Sequence, residues 1–128
     1  MIKEAYVSCE TAKLLKEKGF DKPCRAYYDM GGLKEDVTFP NDWSHSSFLD
    51  HISAPTHQMT MAWLREEHNI CITIYPDKKH KWEAVLYNIE DDVEITLQSF
   101  GIFGRHIYAE SYSDAIEEAL KYCLTNLI

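Results

Sequence analysis

The sequence predicts an α+β fold in which helices pack an antiparallel sheet of three to four strands. Three observations support this class: a C-terminal stretch with apolar residues at helical spacing, central stretches that alternate apolar and polar residues, and close-set turn signals between those stretches. The chain has 128 residues, which suits a single domain over 1–128. The expected order is helix, irregular segment, helix, β-meander and C-terminal helix.

The first helix is expected from Ser8 to Gly19. Ser8 is a suitable N-cap, and Gly19 tolerates the left-handed conformation that ends many helices. If Gly19 directly follows the C-cap, Leu15 and Phe20 are the pair that packs in a Schellman ending. The sequence therefore predicts both ends of this helix.

The next segment, 24–54, has no sustained periodicity. The stretch from Arg25 to Asp29 predicts a short strand before a turn at Gly31 and Gly32. The remainder, 33–53, is expected to be irregular but ordered. It contains three aromatic residues, which disordered segments seldom have: Phe39, Trp43 and Phe48.

A second helix is expected from about Pro55 to His68, because proline suits a first turn. Its predicted apolar face is formed by four residues: Met59, Ala62, Trp63 and Leu64. Asn69 can adopt the left-handed conformation that ends it.

Three alternating stretches then predict an antiparallel meander. The first begins at Ile70, the second runs from Trp82 to Ile89, and the third contains Val93, Ile95 and Leu97. Pro76 and Asp77 are expected to open the first turn. A bulge or loop at Gly101 and Gly104 should precede a short extended piece at 105–108.

The C-terminal helix has the clearest pattern in the chain. Ser111 and Asp114 have the spacing of a capping box, and apolar residues continue from Tyr112 to Leu127 on a 3.6-residue period. Three charged residues are expected on the opposite, solvated face: Glu117, Glu118 and Lys121.

Three stretches together resemble a family of short uncharacterised proteins found in gut-bacterial and phage-derived genomes. They are SCETAKLLKEKGFDKPC near the N-terminus, APTHQMTMAWLREEHNI in the middle and SYSDAIEEALKYCL near the C-terminus. The resemblance spans nearly the whole chain. It implies a cytoplasmic accessory protein with a phage or prophage link, and it implies no catalytic residue.

The charge balance disfavours nucleic acid as a partner. The net charge is −8, which repels phosphate backbones. The densest basic run, Lys78, Lys79, His80 and Lys81, is interpreted as a solvated hairpin tip. The order of elements over 56–127 resembles that of a double-stranded RNA-binding domain, but the basic last helix of such domains is replaced here by an acidic one.

The cysteines and the hydropathy pattern predict a cytoplasmic protein. Cys9, Cys24, Cys71 and Cys123 form no C-x-x-C motif, and two of them lie in apolar patterns, so free thiols are expected; two disulfides in a secreted chain are the alternative. No stretch reaches 18 uninterrupted apolar residues, so no membrane partner is expected. The acidic N-terminus differs from a signal peptide.

One constellation could bind a metal ion. It comprises His45, Asp50, His51 and His57, since imidazole and carboxylate together suit zinc or another divalent transition metal. The spacing matches no standard template, so no metal and no cofactor is favoured. A Cys71 nucleophile with His68 as its base is likewise disfavoured, because Cys71 opens an apolar strand. The sequence therefore leans towards a non-enzymatic protein.

The aromatic residues predict a contact surface. Large aromatics anchor many protein interfaces, and four are the candidates: Trp43, Phe103, Tyr27 and Tyr28. The first hypothesis is a small protein-interaction module that binds a protein partner or forms a homodimer. The alternative is a small metal-dependent or ligand-binding enzyme that uses segment 41–57.

Overall fold

The chain folds into helices and antiparallel sheets, as predicted. The computed structural model describes residues 2–35, 38–45, 50–99, 102–104 and 106–128. Within these ranges the helices are α1 (Cys9–Glu17), α2 (His57–His68) and α3 (Tyr112–Tyr122). The strands are β1 (Ala26–Asp29), β2 (Gly32–Glu35), β3 (His51–Ser53), β4 (Ile70–Asp77), β5 (Lys81–Asn88), β6 (Val93–Glu94), β7 (Leu97–Ser99), β8 (Ile102–Gly104) and β9 (His106–Ala109).

The larger sheet is built around β5. Strand β4 pairs with the whole of β5, and β6 and β9 each pair with a different part of β5. All these pairings are antiparallel, and β4 stands at the end of the strand order. The β4–β5 connection begins at Lys78, so Pro76 and Asp77 belong to β4 rather than to the turn predicted for them.

A second, three-stranded sheet has the order β2–β1–β3. Strand β1 confirms the extended stretch predicted before the Gly31 turn, where Gly31 has φ +81°. The expectation that segment 33–53 lacks regular structure is wrong for both of its ends. Strands β2 and β3 pair with the two edges of β1, and this pairing supplies the hydrogen bonds that periodicity alone does not reveal.

Helix α3 lies on the larger sheet, where it contacts β4, β5 and β9, and it also contacts α1 and α2. The core between these layers is continuous. Its fully buried large side chains include Leu15, Phe20, Leu64, Leu86, Ile116, Leu120 and Leu124. The apolar stripe predicted for the last helix therefore faces the sheet, from Ala115 to Leu124.

Both ends of α1 lie where the sequence predicts them. Ser8 is the N-cap, and its hydroxyl accepts a hydrogen bond from the first turn. Gly19 has φ +84°, the Phe20 N–H donates to the Leu15 carbonyl at 3.0 Å, and the Gly19 N–H donates to the Lys16 carbonyl at 3.2 Å. These are the two hydrogen bonds of a Schellman ending, and they confirm that prediction.

Helix α2 begins two residues later than predicted, and its buried face shares only Trp63 and Leu64 with the predicted one. Thr56 is the N-cap, so Pro55 precedes the helix instead of occupying its first turn. Met59 is 38% exposed and Ala62 half-buried, which corrects the predicted apolar face. The side chains that are buried are His57, Thr60, Met61, Trp63 and Leu64. The N-terminal segment lies against the start of this helix, where the His57 N–H donates to the Ala5 carbonyl, and an apolar pattern cannot show such a long-range contact.

The predicted third strand is divided in two. Val93 begins β6, which pairs with β5, whereas Leu97 begins β7, which pairs with β8. Strand β9 pairs with β5 from Trp82 to Val85. It overlaps the extended piece that the sequence predicts at 105–108. Gly101 and Arg105, which belonged to these predictions, lie outside the described residues.

The start of α3 is also as predicted. The Ser111 hydroxyl accepts from the Asp114 N–H at 3.0 Å. Tyr112, the first residue of the predicted stripe, is 43% exposed. After Tyr122 the chain continues with π-helical geometry over Cys123–Leu127. The expectation of a solvated Glu117 is wrong, because its side chain is only 16% exposed.

Candidate functional site

A cluster of four polar side chains joins the starts of two helices to the third helix. Ser8 and Thr11 come from the N-cap and first turn of α1, His57 is the first residue of α2, and Glu117 lies on the second turn of α3. The side chains of His57 and Glu117 are 6% and 16% exposed. A carboxylate at this depth needs hydrogen-bond donors to remain charged.

Both oxygens of Glu117 accept hydrogen bonds. Oε1 lies 2.8 Å from Nε2 of His57 and 2.8 Å from the Ser8 backbone nitrogen. Oε2 accepts from the hydroxyls of Ser8 at 3.0 Å and Thr11 at 2.6 Å. Because an ionised carboxylate can only accept, Nε2 of His57 carries the hydrogen of their bond. In the neutral imidazole the lone pair therefore lies on Nδ1.

These donors keep Glu117 ionised. Burial, the largest single influence, acts to raise the pKa of Glu117. The hydrogen bonds from His57, Thr11 and Ser8 together outweigh it and lower the pKa of Glu117 from 4.5 to about 2. The carboxylate is thus a fixed negative charge near neutral pH.

The N-terminal segment lies against the start of α2. The His57 N–H donates to the Ala5 carbonyl at 2.9 Å, and the Val7 N–H donates to the Pro55 carbonyl at 3.0 Å. Tyr6 forms an antiparallel bridge with Thr56. These backbone contacts hold the N-terminal segment against α2, where it forms one wall of two cavities.

Two cavities border the N-terminal segment. One, of about 360 Å³, is lined by this segment, His57 and Gln58 of α2, and Tyr112 and Ser113 of α3. The other, of about 340 Å³, is lined by Arg25 and Met59 among other residues. Both volumes fall in the lower part of the range of about 300–1,000 Å³ that is typical of small-molecule sites.

The four residues predicted as metal-ligand candidates, His45, Asp50, His51 and His57, have different surroundings. Nδ1 of His45 lies 3.0 Å from Asp42, and Nε2 of His51 lies 3.7 Å from Asp29. His57 is bound to Glu117, and Asp50 is exposed. Within the described ranges, no three His, Cys, Asp or Glu side chains are grouped so that they could hold a metal ion.

The aromatic residues predicted for an interface lie mainly in the second sheet and the segment packed against it. Trp43 is 6% exposed and its indole N–H donates to the Cys24 carbonyl at 2.8 Å, so it belongs to the core of the chain and not to its surface. Tyr27 packs on Trp43 at a centroid distance of 4.4 Å, and Tyr28 is half-buried. Phe103 lies in β8, and its side chain is outside the described part. An interface role for these residues stays a prediction.

The free edge of β4 is a second candidate site. The Ile89 N–H donates to the Asn69 carbonyl at 2.8 Å, just before the Ile70–Asn88 pair of the ladder. Hydrogen-bonded and non-hydrogen-bonded pairs alternate in an antiparallel ladder. Cys71, Thr73 and Tyr75 therefore bond to β5, whereas the backbone groups of Ile70, Ile72 and Ile74 point away from it.

Two further observations agree with this alternation. The Leu86 carbonyl, opposite Ile72, accepts from the Ile95 N–H at 2.8 Å on the other side of β5. Pro76 occupies a position whose N–H would face the free edge, where its absence breaks no hydrogen bond within the sheet. No strand pairs with this edge in the part of the chain that the structure describes.

Sequence reasoning missed both of these sites. The Glu117 cluster joins residues 60 and 109 positions apart, and no local pattern indicates such partners. The edge of β4 had one available signal, because a proline inside an alternating apolar run is typical of an edge strand. The turn expected at Pro76 and Asp77 is therefore the wrong interpretation of this signal.

Comparisons with known proteins found no match to this chain among protein-family models, curated proteins or solved structures. The resemblance to gut-bacterial and phage-derived proteins therefore stays a prediction. Among the helices of the described residues, none is long and apolar enough to span a membrane.

Proposed function

We propose that the protein is a small non-enzymatic protein-interaction module that associates through the free edge of β4. The simplest partner is β4 of a second copy, which gives a homodimer with one sheet running through both subunits. The observation that carries this proposal is the row of backbone groups at Ile70, Ile72 and Ile74, with which no strand of the described residues pairs. Unpaired strand edges are templates for pairing with another chain.

The edge is self-complementary. In an antiparallel pair with its two-fold axis at Ile72, each subunit's Ile72 faces the other, and Ile70 faces the partner subunit's Ile74. All three residues then present both N–H and C=O groups to the partner. A two-fold arrangement of this kind closes on itself and does not continue into a fibre.

The side chains of β4 also favour pairing. No charged residue lies between Ile70 and Pro76, although natural edge strands commonly carry lysine to prevent association. Pro76 has no N–H to offer, so it limits the pairing to the first part of the strand. Tyr75, which is 48% exposed, lies beside this part and would add contact area.

The alternative of a metal-dependent enzyme in segment 41–57 has less support. Its candidate histidines bind separate carboxylates, and His57 uses Nε2 to hold Glu117. We therefore do not propose catalysis by these residues.

Two substitutions at Ile74 test the proposal. Ile74→Pro removes the N–H that faces the edge while leaving the hydrogen bonds to β5 unaffected, and Ile74→Ala shortens the side chain but keeps the N–H. Light scattering on a size-exclusion column should give a dimer for the unchanged protein and for Ile74→Ala, and a monomer for Ile74→Pro. Circular dichroism checks that both variants are folded.

A monomer for the unchanged protein at all concentrations would contradict self-association. A folded Ile74→Pro variant that remains a dimer would contradict the assignment of the interface to this edge.

A further inference from the structure

The face of the larger sheet that is turned away from α3 carries an inference that does not rest on self-association. Tyr75, Glu83 and Tyr108 lie side by side there on β4, β5 and β9, because Tyr75 pairs with Glu83 and Glu83 pairs with Tyr108. We infer that this row of three side chains binds an arginine side chain of a partner protein. Arginine carries a planar cation, and the row offers it a carboxylate between two aromatic rings.

The row faces away from the core. Successive side chains of a strand point to opposite faces of the sheet. The chain neighbours of the row on its three strands include Ile74, Ala84 and Ile107, and these belong to the core or pack against it. Tyr75 and Tyr108 are 48% and 47% exposed, so a ligand can reach both rings from solvent. Edge pairing of β4 would use backbone groups and leave Tyr75 on this face.

Glu83 supplies the negative charge of the row. Its side chain is 18% exposed, and its Oε2 lies 2.8 Å from Nδ1 of His106. Among the described residues, no donor bonds to Oε1 of Glu83, and Oε1 is not one of the buried polar atoms that lack a partner. This oxygen is therefore accessible to solvent and to a ligand. A carboxylate with limited exposure to water attracts a cation more strongly than a fully solvated one does.

The two tyrosines frame the carboxylate. Neighbouring strands are about 4.8 Å apart, so the backbones at Tyr75 and Tyr108 are separated by about 10 Å, with Glu83 between them. His80 packs against Tyr108 at a centroid distance of 4.2 Å and restricts the movement of that ring. Guanidinium groups stack on aromatic rings and bond to carboxylates, whereas the ammonium group of lysine is compact and strongly hydrated. The row therefore favours arginine over lysine.

The charge of the chain favours a basic partner. The net charge is −8, which attracts cationic groups towards the protein. Lys81, two positions before Glu83 on β5, is paired with Glu110 at 3.1 Å. Lys78 and Lys79 belong to the turn beyond the ends of β4 and β5. These lysines therefore leave the carboxylate of Glu83 available to an arginine.

Nuclear magnetic resonance titration with three blocked amino acids at matched ionic strength tests this inference. The probes are the N-acetyl amides of arginine, lysine and citrulline, and citrulline has the shape of arginine without its charge. We expect the arginine probe to shift the amide signal of Glu83 and the ring signals of Tyr75 and Tyr108. The citrulline probe should bind at least about tenfold more weakly and the lysine probe about two- to fivefold more weakly. Absence of arginine-induced shifts, or equal binding of the citrulline or lysine probe, would overturn the inference.

Two matched pairs of variants locate the site. Glu83→Gln removes the charge and should weaken binding of the arginine probe at least about tenfold. Glu94→Gln is its control, because Glu94 pairs with Tyr87 farther along β5, and it should bind as the unchanged protein does. Tyr75→Leu removes one ring and should weaken binding about two- to fivefold, whereas Tyr75→Phe keeps the ring and should not.

Circular dichroism checks that each variant is folded. A folded Glu83→Gln variant that binds the arginine probe as the unchanged protein does would overturn the inference. An equal loss in Glu94→Gln, or equal binding by Tyr75→Leu and Tyr75→Phe, would also contradict the assignment of the site to this row.

Discussion

Nε2 of His57 lies 2.8 Å from Oε1 of Glu117, although the two residues are 60 positions apart in the chain. Through Glu117 this contact extends to Ser8 and Thr11, so one carboxylate fastens α1, α2 and α3 to each other. Because an ionised carboxylate only accepts hydrogen bonds, Nε2 of His57 carries the hydrogen of this contact. The cluster thus ties the three helices together inside the fold.

Removal of the charge at Glu117 should destabilise the fold. In Glu117→Gln, one of the two acceptor oxygens becomes an amide NH₂ group that faces donors, so buried groups lose their partners. We expect the free energy of unfolding to fall by about 1–3 kcal/mol. Urea denaturation measures it, with Glu118→Gln as the matched control because the Glu118 side chain is 58% exposed. A control that loses as much stability as Glu117→Gln would contradict the special role of Glu117.

Acid should weaken the protein through the same residue. Burial opposes ionisation, but the hydrogen bonds from His57, Thr11 and Ser8 prevail, and the pKa of Glu117 falls from 4.5 to about 2 on folding. A carboxyl group with a lowered pKa stabilises the fold above its unfolded value, and this contribution is lost as pH falls through the folded value. Unfolding free energies should therefore decline between about pH 4.5 and pH 2. Glu117→Gln should lack this part of the decline; an identical pH profile in both proteins is the opposing result.

The cysteines should differ in reactivity. All four are free thiols, and burial raises the pKa values of Cys24 and Cys123 to about 12. Since the thiolate is the reactive species, these two should react slowly with iodoacetamide in the folded protein. Cys9 and Cys71 are half-buried and should be modified first. Peptide mass spectrometry after brief labelling resolves the order, and early modification of Cys24 or Cys123 would count against the described packing.

The end of α1 should depend on glycine. Gly19 has φ +84° and open space around its α-carbon, so the strain of Gly19→Ala comes from the backbone and not from a clash. We expect a loss of about 1 kcal/mol. Gly32→Ala is the control, because Gly32 lies outside the left-handed region and an added methyl group would be 3.5 Å from the Asp29 carbonyl oxygen. Thermal unfolding of both variants compares them; equal losses would contradict this explanation.

The sequence predicted the features that depend on near neighbours. The Schellman ending at Gly19, the cap at Ser111 and the left-handed Asn69 at φ 57° each follow from a few consecutive residues, and the structure confirms them. The fold class follows for the same reason, since local periodicity identifies helices and strands.

Long-range contacts account for what the sequence did not show. Strand β3 is only three residues long, and it is held by its pairing with β1. The charge of Glu117 predicts a solvated side chain, yet its partners come from two other helices. The free edge of β4 depends on the strand order, which alternation does not encode.

Hydrogen exchange of the β4 amides, measured over a range of protein concentrations, tests the proposed association most directly. The N–H groups of Ile72 and Ile74 face the free edge, whereas that of Thr73 bonds to β5 and serves as an internal control. The account predicts that protection of Ile72 and Ile74 rises with concentration while that of Thr73 changes little. Rapid exchange at Ile72 and Ile74 at every concentration would contradict pairing through this edge.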